Sequence, residues 1–298
     1  MSTPTETETP SETETEGGTQ LSYETRDRLY HLALYGSAAL FSAVILFPIY
    51  WMIQNAFTDS QTVITEFSWL PSPETVTLDN FGVLAAGAVP RYVINTIVVT
   101  AGTIAVVVGI SLVAGYGMAR FRFRYKESFA QFLLLGYMFS PIVLGLPLYL
   151  IWSEIGLLNA QIGLVIALSS ISMPFAVWLM WKYIQTIPES MEESAWIAGA
   201  SRWRTFWDVV VPQTKPAIVA CALFAFAIAW NDFTFAQILL PSQESTTFAP
   251  GIMRLIDQGG YTSWGDIMAV SLLMTVPPLL FAYFLQEYLL KGFEVRTR

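Results

Sequence analysis

The 298-residue chain holds one cysteine and one histidine, and only 13% of its residues carry charge. Cys221 sits inside an apolar run and has no second thiol, so a disulfide within the chain is excluded. His31 as the sole imidazole removes most metal sites and His-dependent catalysis. The HExxH and GxSxG patterns are missing, and so are paired aspartates inside an apolar run, which argues against an intramembrane enzyme. No GxxxxGK[ST] phosphate loop occurs either, so the chain lacks the usual cradle for ATP. The expectation is no catalytic, cofactor-binding or metal-ligating residue.

Apolar residues stand in their place: 54% of the chain is hydrophobic and the mean hydropathy is +0.51, the composition of a bilayer protein. The net charge is −8, but Glu6, Glu8, Glu12, Glu14 and Glu16 all lie in an N-terminal stretch with no periodicity and nothing to bury. Residues 1–28 therefore read as a disordered acidic cytoplasmic tail, without the basic start of a signal peptide. Residues 29–298 read as one membrane domain. No feature points to nucleic acid.

Six apolar runs follow, at 32–57, 92–119, 128–152, a fourth ending near Lys182, 217–240 and 267–290. Each is long enough as a helix to cross a hydrocarbon core of about 30 Å at about 1.5 Å per residue. Pro48 is placed to kink the first run, and Pro141 and Pro147 to break the third. Gly102, Gly109, Gly115 and Gly117 suit close helix packing in the second. Arg26, Arg28, the cluster from Arg120 to Lys126, Lys182, Arg202, Arg204, Lys215, Lys291, Arg296 and Arg298 fall on one side of this pattern. Arg91 and Arg254 fall on the other. Short cytoplasmic loops collect Lys and Arg, so both termini are expected in the cytoplasm. The fold class is an all-α membrane protein with six transmembrane helices.

Between the fourth and fifth runs lies a polar island, 187–216. Pro188 suits a first helical turn, and Glu189, Glu192 and Glu193 place negative charge at the positive end of the helix dipole. Gly199 is a natural left-handed stop. Ser201 then caps a second helix on which Trp203, Phe206, Trp207 and Val210 recur at helical spacing. The pattern is a helix-turn-helix whose small and aromatic residues suit either a partner's groove or the membrane interface.

Asp232, in Trp230-Asn231-Asp232-Phe233, is the one acid in an otherwise uncharged fifth run. An intramembrane carboxylate is a functional candidate by default. Two readings stay open. In one, Asn231, Asp232 and Gln237 line a polar translocation path, with Trp230 as a face for a sugar ring. In the other, Asp232 caps a helix break or pairs with another helix.

The island resembles the EAA loop of ABC importer permeases: Glu193, Ser194, Ala195, Gly199, Val209, Val211 and Pro212 fall in register with that signature. Ser194, Val209 and Val211 are conservative departures. The likeness continues in FPIYWMI (47–53), LDNF (78–81), Asn95-Thr96, YGMARF (116–121), LPLYL (146–150) and GLLNAQIGLVI (156–166). With the Trp-Asn-Asp-Phe quartet, these resemble the permeases of maltose-type carbohydrate importers.

The resemblance implies a type I ABC importer permease fold with a cytoplasmic coupling helix-turn-helix. Glu192, Glu193, Ser194, Ala195, Gly199 and Pro212 would meet a separate ATPase. It implies a second homologous permease, two nucleotide-binding ATPase subunits that bind ATP and Mg, an extracellular solute-binding protein and a sugar as cargo, in the cell membrane. The outer segment 241–265 becomes a candidate contact for the binding protein. Two departures limit the transfer: Ala198 replaces the Asp that often precedes the loop glycine, and the ending GFEVRTR lacks a glycine-rich tail, so a tail contact with the ATPase is not carried over. A hexose, pentose or longer saccharide, a glycerol phosphate ester and another small polar solute all remain open as cargo. An ion-coupled secondary transporter is the rival class, supported only by Asp232.

Overall fold

The computed structural model describes residues 23–65, 69–70, 72–85, 87–122, 124–136, 139–257 and 263–294, with backbone alone at 23–26, 64–65 and 285–294. Of the tail expected over 1–28, residues 1–22 lie outside this set, as do the last four residues, whereas 23–28 are not an unstructured tail but the first turns of a helix. Two compact units are present, Met1–Trp51 and Met52–Arg298. The helices are α1 (Tyr23–Ala56), α2 (Ser60–Thr65), α3 (Val89–Arg120), α4 (Lys126–Gly136), α5 (Pro141–Ile155), α6 (Gln161–Ile184), α7 (Glu189–Ile197), α8 (Arg202–Thr205), α9 (Val211–Gln213), α10 (Lys215–Trp230), α11 (Thr234–Leu239), α12 (Phe248–Asp257) and α13 (Trp264–Glu294). A 3₁₀ turn covers Asp79–Leu84 and a π-helical turn covers Phe206–Val210. Among the described residues the only extended pairing is a single antiparallel bridge, Thr58 with Val76.

The second unit is built on α3 against α6. Gly102 faces Val165, and a Cβ on Gly115 would lie 2.7 Å from Met180 Cγ and 3.0 Å from the Trp181 nitrogen. Later residues of α3 thus meet later residues of α6, so the two helices run parallel. The other two glycines do not serve this packing: Gly109 has open space around it, and Gly117 meets only Phe121 just beyond the end of its own helix.

α10 fills the flank of this pair. Its Cys221 is fully buried and donates to the Ala176 carbonyl at 3.5 Å, a structural role for the lone thiol. On its other side Phe226 stacks on Phe281 of α13 at 4.2 Å.

Two connecting loops are shaped by asparagines. Asn80 of the LDNF stretch donates to the Ala56 and Thr58 carbonyls at 3.0 and 2.8 Å and accepts from Ser60 at 2.9 Å. Asn159 adopts a positive φ of 63°, after a left-handed Gly156 at 74° that ends α5. The two residues shape the turn between α5 and α6.

Among the described residues four helices are long and apolar enough to cross a membrane: residues 27–56 of α1, all of α3 and α6, and residues 264–284 of α13. Two bent pairs pass the same test when taken together, α4 with α5 and residues 202–213 with α10. The third expected run breaks before Pro141, which starts α5, whereas Pro147 sits inside a continuous helix. The fifth run is interrupted: α10 stops at Trp230 and α11 starts at Thr234, so 217–240 is not one helix.

Candidate functional site

The island 187–216 folds as a helix-turn-helix. Pro188 occupies the cap position rather than the first helical turn, so α7 starts at Glu189, with Glu189 and Glu192 in that turn. Gly199 takes a φ of 90°, and the Ala200 amide donates back to the Ala195 carbonyl at 2.9 Å. Ser201 caps the next helix by accepting from the Arg204 amide at 3.3 Å. That helix is not uniform, because a π-helical turn separates α8 from α9. Pro212 offers no N–H, and its ring crowds the carbonyl four residues back; the wider turn accommodates both.

The outward face of this knob sets large apolar side chains among exposed charges, Glu189, Glu193, Arg204 and Asp208. Ile197 is 89% exposed and Trp203 64%, with Met191, Trp196 and Trp207 also exposed. Glu193, Ser194, Gly199 and Pro212 are exposed too, and Ala195 is half-buried. Arg202 lies over the Trp196 ring at 5.4 Å.

Glu192 differs from the rest. Only 1% of its side chain is exposed, and it points back at the last turns of α3. Its Oε1 lies 2.6 Å from Arg120 Nε, and its Oε2 accepts from the Tyr116 hydroxyl at 2.8 Å. Arg120 also donates to the Ile187 carbonyl at 3.0 Å. Phe206 packs edge-on against Tyr116 at 4.9 Å. These groups border an open cavity of about 260 Å³ between α3 and the knob, with Glu189 and Trp203 at its margin.

The interruption after α10 has its own chemistry. Asp232 accepts from the Phe235 and Ala236 amides at 3.3 and 2.9 Å, supplying acceptors to the open end of α11. Asn231 donates to the Ala227 carbonyl at 2.9 Å. The two residues also line a cavity of about 550 Å³ with Ser140, Leu168, Ile171 and Phe233. Trp230 is not with them. It is buried, stacks on Phe226 at 5.4 Å and donates from Nε1 to the Met274 carbonyl at 3.1 Å. Gln237 lies further out and accepts from Arg254 at 3.1 Å, while Arg254 also donates to the Leu240 and Pro241 carbonyls, both at 3.0 Å.

The segment after α11 is held to the N-terminal end of α3. Asn95 donates to the Glu244 and Thr246 carbonyls at 2.9 and 2.8 Å, and Thr96 accepts from the Phe248 amide at 2.8 Å. Asn159 accepts from the Ser242 amide and the Ser245 hydroxyl at 3.1 and 2.5 Å. Sequence reasoning singled out neither Tyr116 nor Arg120 as a partner of Glu192. Their signal was there: they are four apart, on one face at the end of an apolar run, within the YGMARF stretch.

A knob, a cavity at a helix break and a set of long apolar helices are the parts of a multi-pass membrane protein. The chain belongs to the family described as the binding-protein-dependent transport system inner membrane component, which it matches over residues 108–295. It is 30% identical over 253 residues to the probable ABC transporter permease protein YurM of Bacillus subtilis, covering 85% of this chain and 83% of that one. The trehalose/maltose transport system permease protein MalG of Thermococcus litoralis is 29% identical over 270 residues, covering 89% and 95%. The fold is also similar to a chain of a bacterial ABC transporter involved in the import of the acidic polysaccharide alginate. There the TM-score is 0.78 and the identity 21%, covering 89% of this chain and 98% of that one. Members of this family are transport components rather than catalysts. The resemblance read from the EAA loop and its companion motifs is borne out.

Proposed function

We propose that this chain is a transmembrane permease subunit of an ATP-driven importer that carries a sugar across the cell membrane. The observation that carries this reading is the knob. In a chain of the binding-protein-dependent family, an exposed helix-turn-helix turns on a left-handed Gly199 and presents Ile197 and Trp203 outward. Such a surface fits a groove on a second protein. On this reading Glu193, Ser194, Ala195, Gly199 and Pro212 meet an ATPase subunit, which binds ATP and Mg, while Glu192 holds the knob from behind. A second permease, a second ATPase and an extracellular binding protein complete the assembly. Residues 29–298 form the permease domain, with six spans when each bent pair counts as one and with both termini in the cytoplasm. The basic residues near the inner ends of the spans support that orientation.

The cavity at Asn231 and Asp232 is the candidate path. Its carboxylate and amide beside Phe233 and Ile171 provide acceptors for hydroxyls and an apolar wall for a ring. The trehalose/maltose system of the Thermococcus litoralis relative supports a saccharide as cargo.

The experiment is affinity capture of the chain from its native membrane in mild detergent, followed by mass spectrometry and by ATP-dependent uptake in reconstituted vesicles. The expected result is a P-loop ATPase and a second permease in the complex, with uptake of the sugar that the cognate binding protein holds. A chain captured alone and intact that moves solute on an ion gradient would overturn the reading.

A further inference from the structure

α3 joins the two ends of the second unit. It runs 32 residues, and its only proline, Pro90, lies in its first turn. The other long helices carry proline in their interiors: Pro48 in α1, Pro174 in α6, and Pro277 and Pro278 in α13. A helix with an unbroken hydrogen-bond ladder moves as one body, whereas an interior proline removes a rung and permits a bend. Close contact with α6 at Gly102 and Gly115 stiffens it further.

Each end of this rod is fastened to a functional surface by polar side chains. At the outer end, Asn95 and Thr96 hold the backbone of 244–248 through three hydrogen bonds of 2.8–2.9 Å. At the inner end, Tyr116 and Arg120 hold Glu192 of α7, and Arg120 also takes the carbonyl of Ile187 just before that helix. The carboxylate is buried, so α7 cannot part from α3 without exposing a charged group that has lost both of its partners. Without this joint α7 would be free to pivot on its flanking turns, at 185–188 and at Gly199.

We propose that α3 is a rigid strut and that these two clusters are its joints: the outer joint Asn95–Thr96 and the inner joint Tyr116–Arg120–Glu192 make the segment 244–248 and the knob move together. The inference rests on the importer reading above and deepens it by assigning positioning residues to communication between the outer face and the ATPase. About 37 Å of helix separates Asn95 from Arg120 at about 1.5 Å per residue, more than the thickness of the hydrocarbon core. Loading of the outer segment is then felt at the ATPase through this chain, and the same coupling acts in reverse. Asn95 and Glu192 act through the backbone they hold and touch neither nucleotide nor cargo.

The test uses the complete reconstituted complex and measures how far the loaded binding protein stimulates ATP hydrolysis. Glu192→Gln removes the charge from the inner joint and Asn95→Ala breaks the outer one; Tyr116→Phe and Thr96→Val are milder changes that remove hydroxyl hydrogen bonds, one at Tyr116 and two at Thr96, and leave the apolar packing. The expected result is an intact complex with unchanged basal hydrolysis, and stimulation reduced at least tenfold by Glu192→Gln or Asn95→Ala and severalfold by the mild pair. The double variant Asn95→Ala with Glu192→Gln should be no worse than the poorer single variant, because both interrupt one line. Normal stimulation in the mild variants, multiplicative losses in the double variant, or loss of the ATPase from variant complexes would each overturn the strut. Absence of any ATPase from the unaltered complex would instead overturn the importer reading.

Discussion

Single residues divide here into those that shape a turn and those that hold a charge. Gly199 has open space where a Cβ would go, so its requirement comes from its φ of 90° rather than from crowding. Gly199→Asp adds about 1–2 kcal/mol of backbone strain and places a further charge on the knob. The expected outcome is normal membrane insertion with loss of ATPase co-purification, read by pull-down. Asp232 is legible in the sequence as an oddity, a lone acid in an apolar run. A capped helix break was one of its two readings from sequence, but which break it caps and which amides it accepts from appear only in the fold. Asp232→Ser retains one acceptor for the open end of α11, so folding should weaken by about 1 kcal/mol or less. If the carboxylate also meets solute, uptake falls at least tenfold; unchanged uptake would leave Asp232 a cap alone.

At the level of elements, the sequence located every apolar run and misjudged how some of them continue. Proline explains both outcomes. Pro141 stands where a helix can start, so α5 begins there, while Pro147 is absorbed within α5 because its neighbours continue the helix around it. The four glycines of α3 look alike in sequence, yet only Gly102 and Gly115 face α6, since the phase of the helix against its neighbour selects them. Gly115→Ala is therefore the informative change: its methyl meets Met180 and the Trp181 backbone, which must shift. Overpacking of this kind costs about 1–3 kcal/mol. A lowered apparent Tm in detergent is expected for Gly115→Ala and none for Gly109→Ala, whose site is open.

For the whole molecule, the arrangement of charges and spans leads to a labelling prediction. Cys221 is fully buried and should give no thiol label until the protein unfolds. In that background Ile197→Cys should react only with a reagent that reaches the cytoplasm. Met253→Cys, at a half-exposed position of α12, should react only from outside. Both cysteines reacting from one side would overturn the six-span orientation.

Hydropathy, charge and the register of the island sufficed for the class of protein, because the bilayer and the knob act through local pattern: length of apolar run, sign of flanking charge, turn residues in order. The sequence by itself thus determined a helical membrane permease with a knob between its fourth and fifth apolar runs. Only the tertiary structure decided that Glu192 faces inward to Arg120 and Tyr116, that Trp230 turns to α13 away from Asn231 and Asp232, and that Asn95 holds the outer segment. Those partners are separated by 44 to 149 residues, and no local periodicity reveals them. They follow from which helices lie side by side and at what height, which packing at glycines and the reach of buried polar groups settle together.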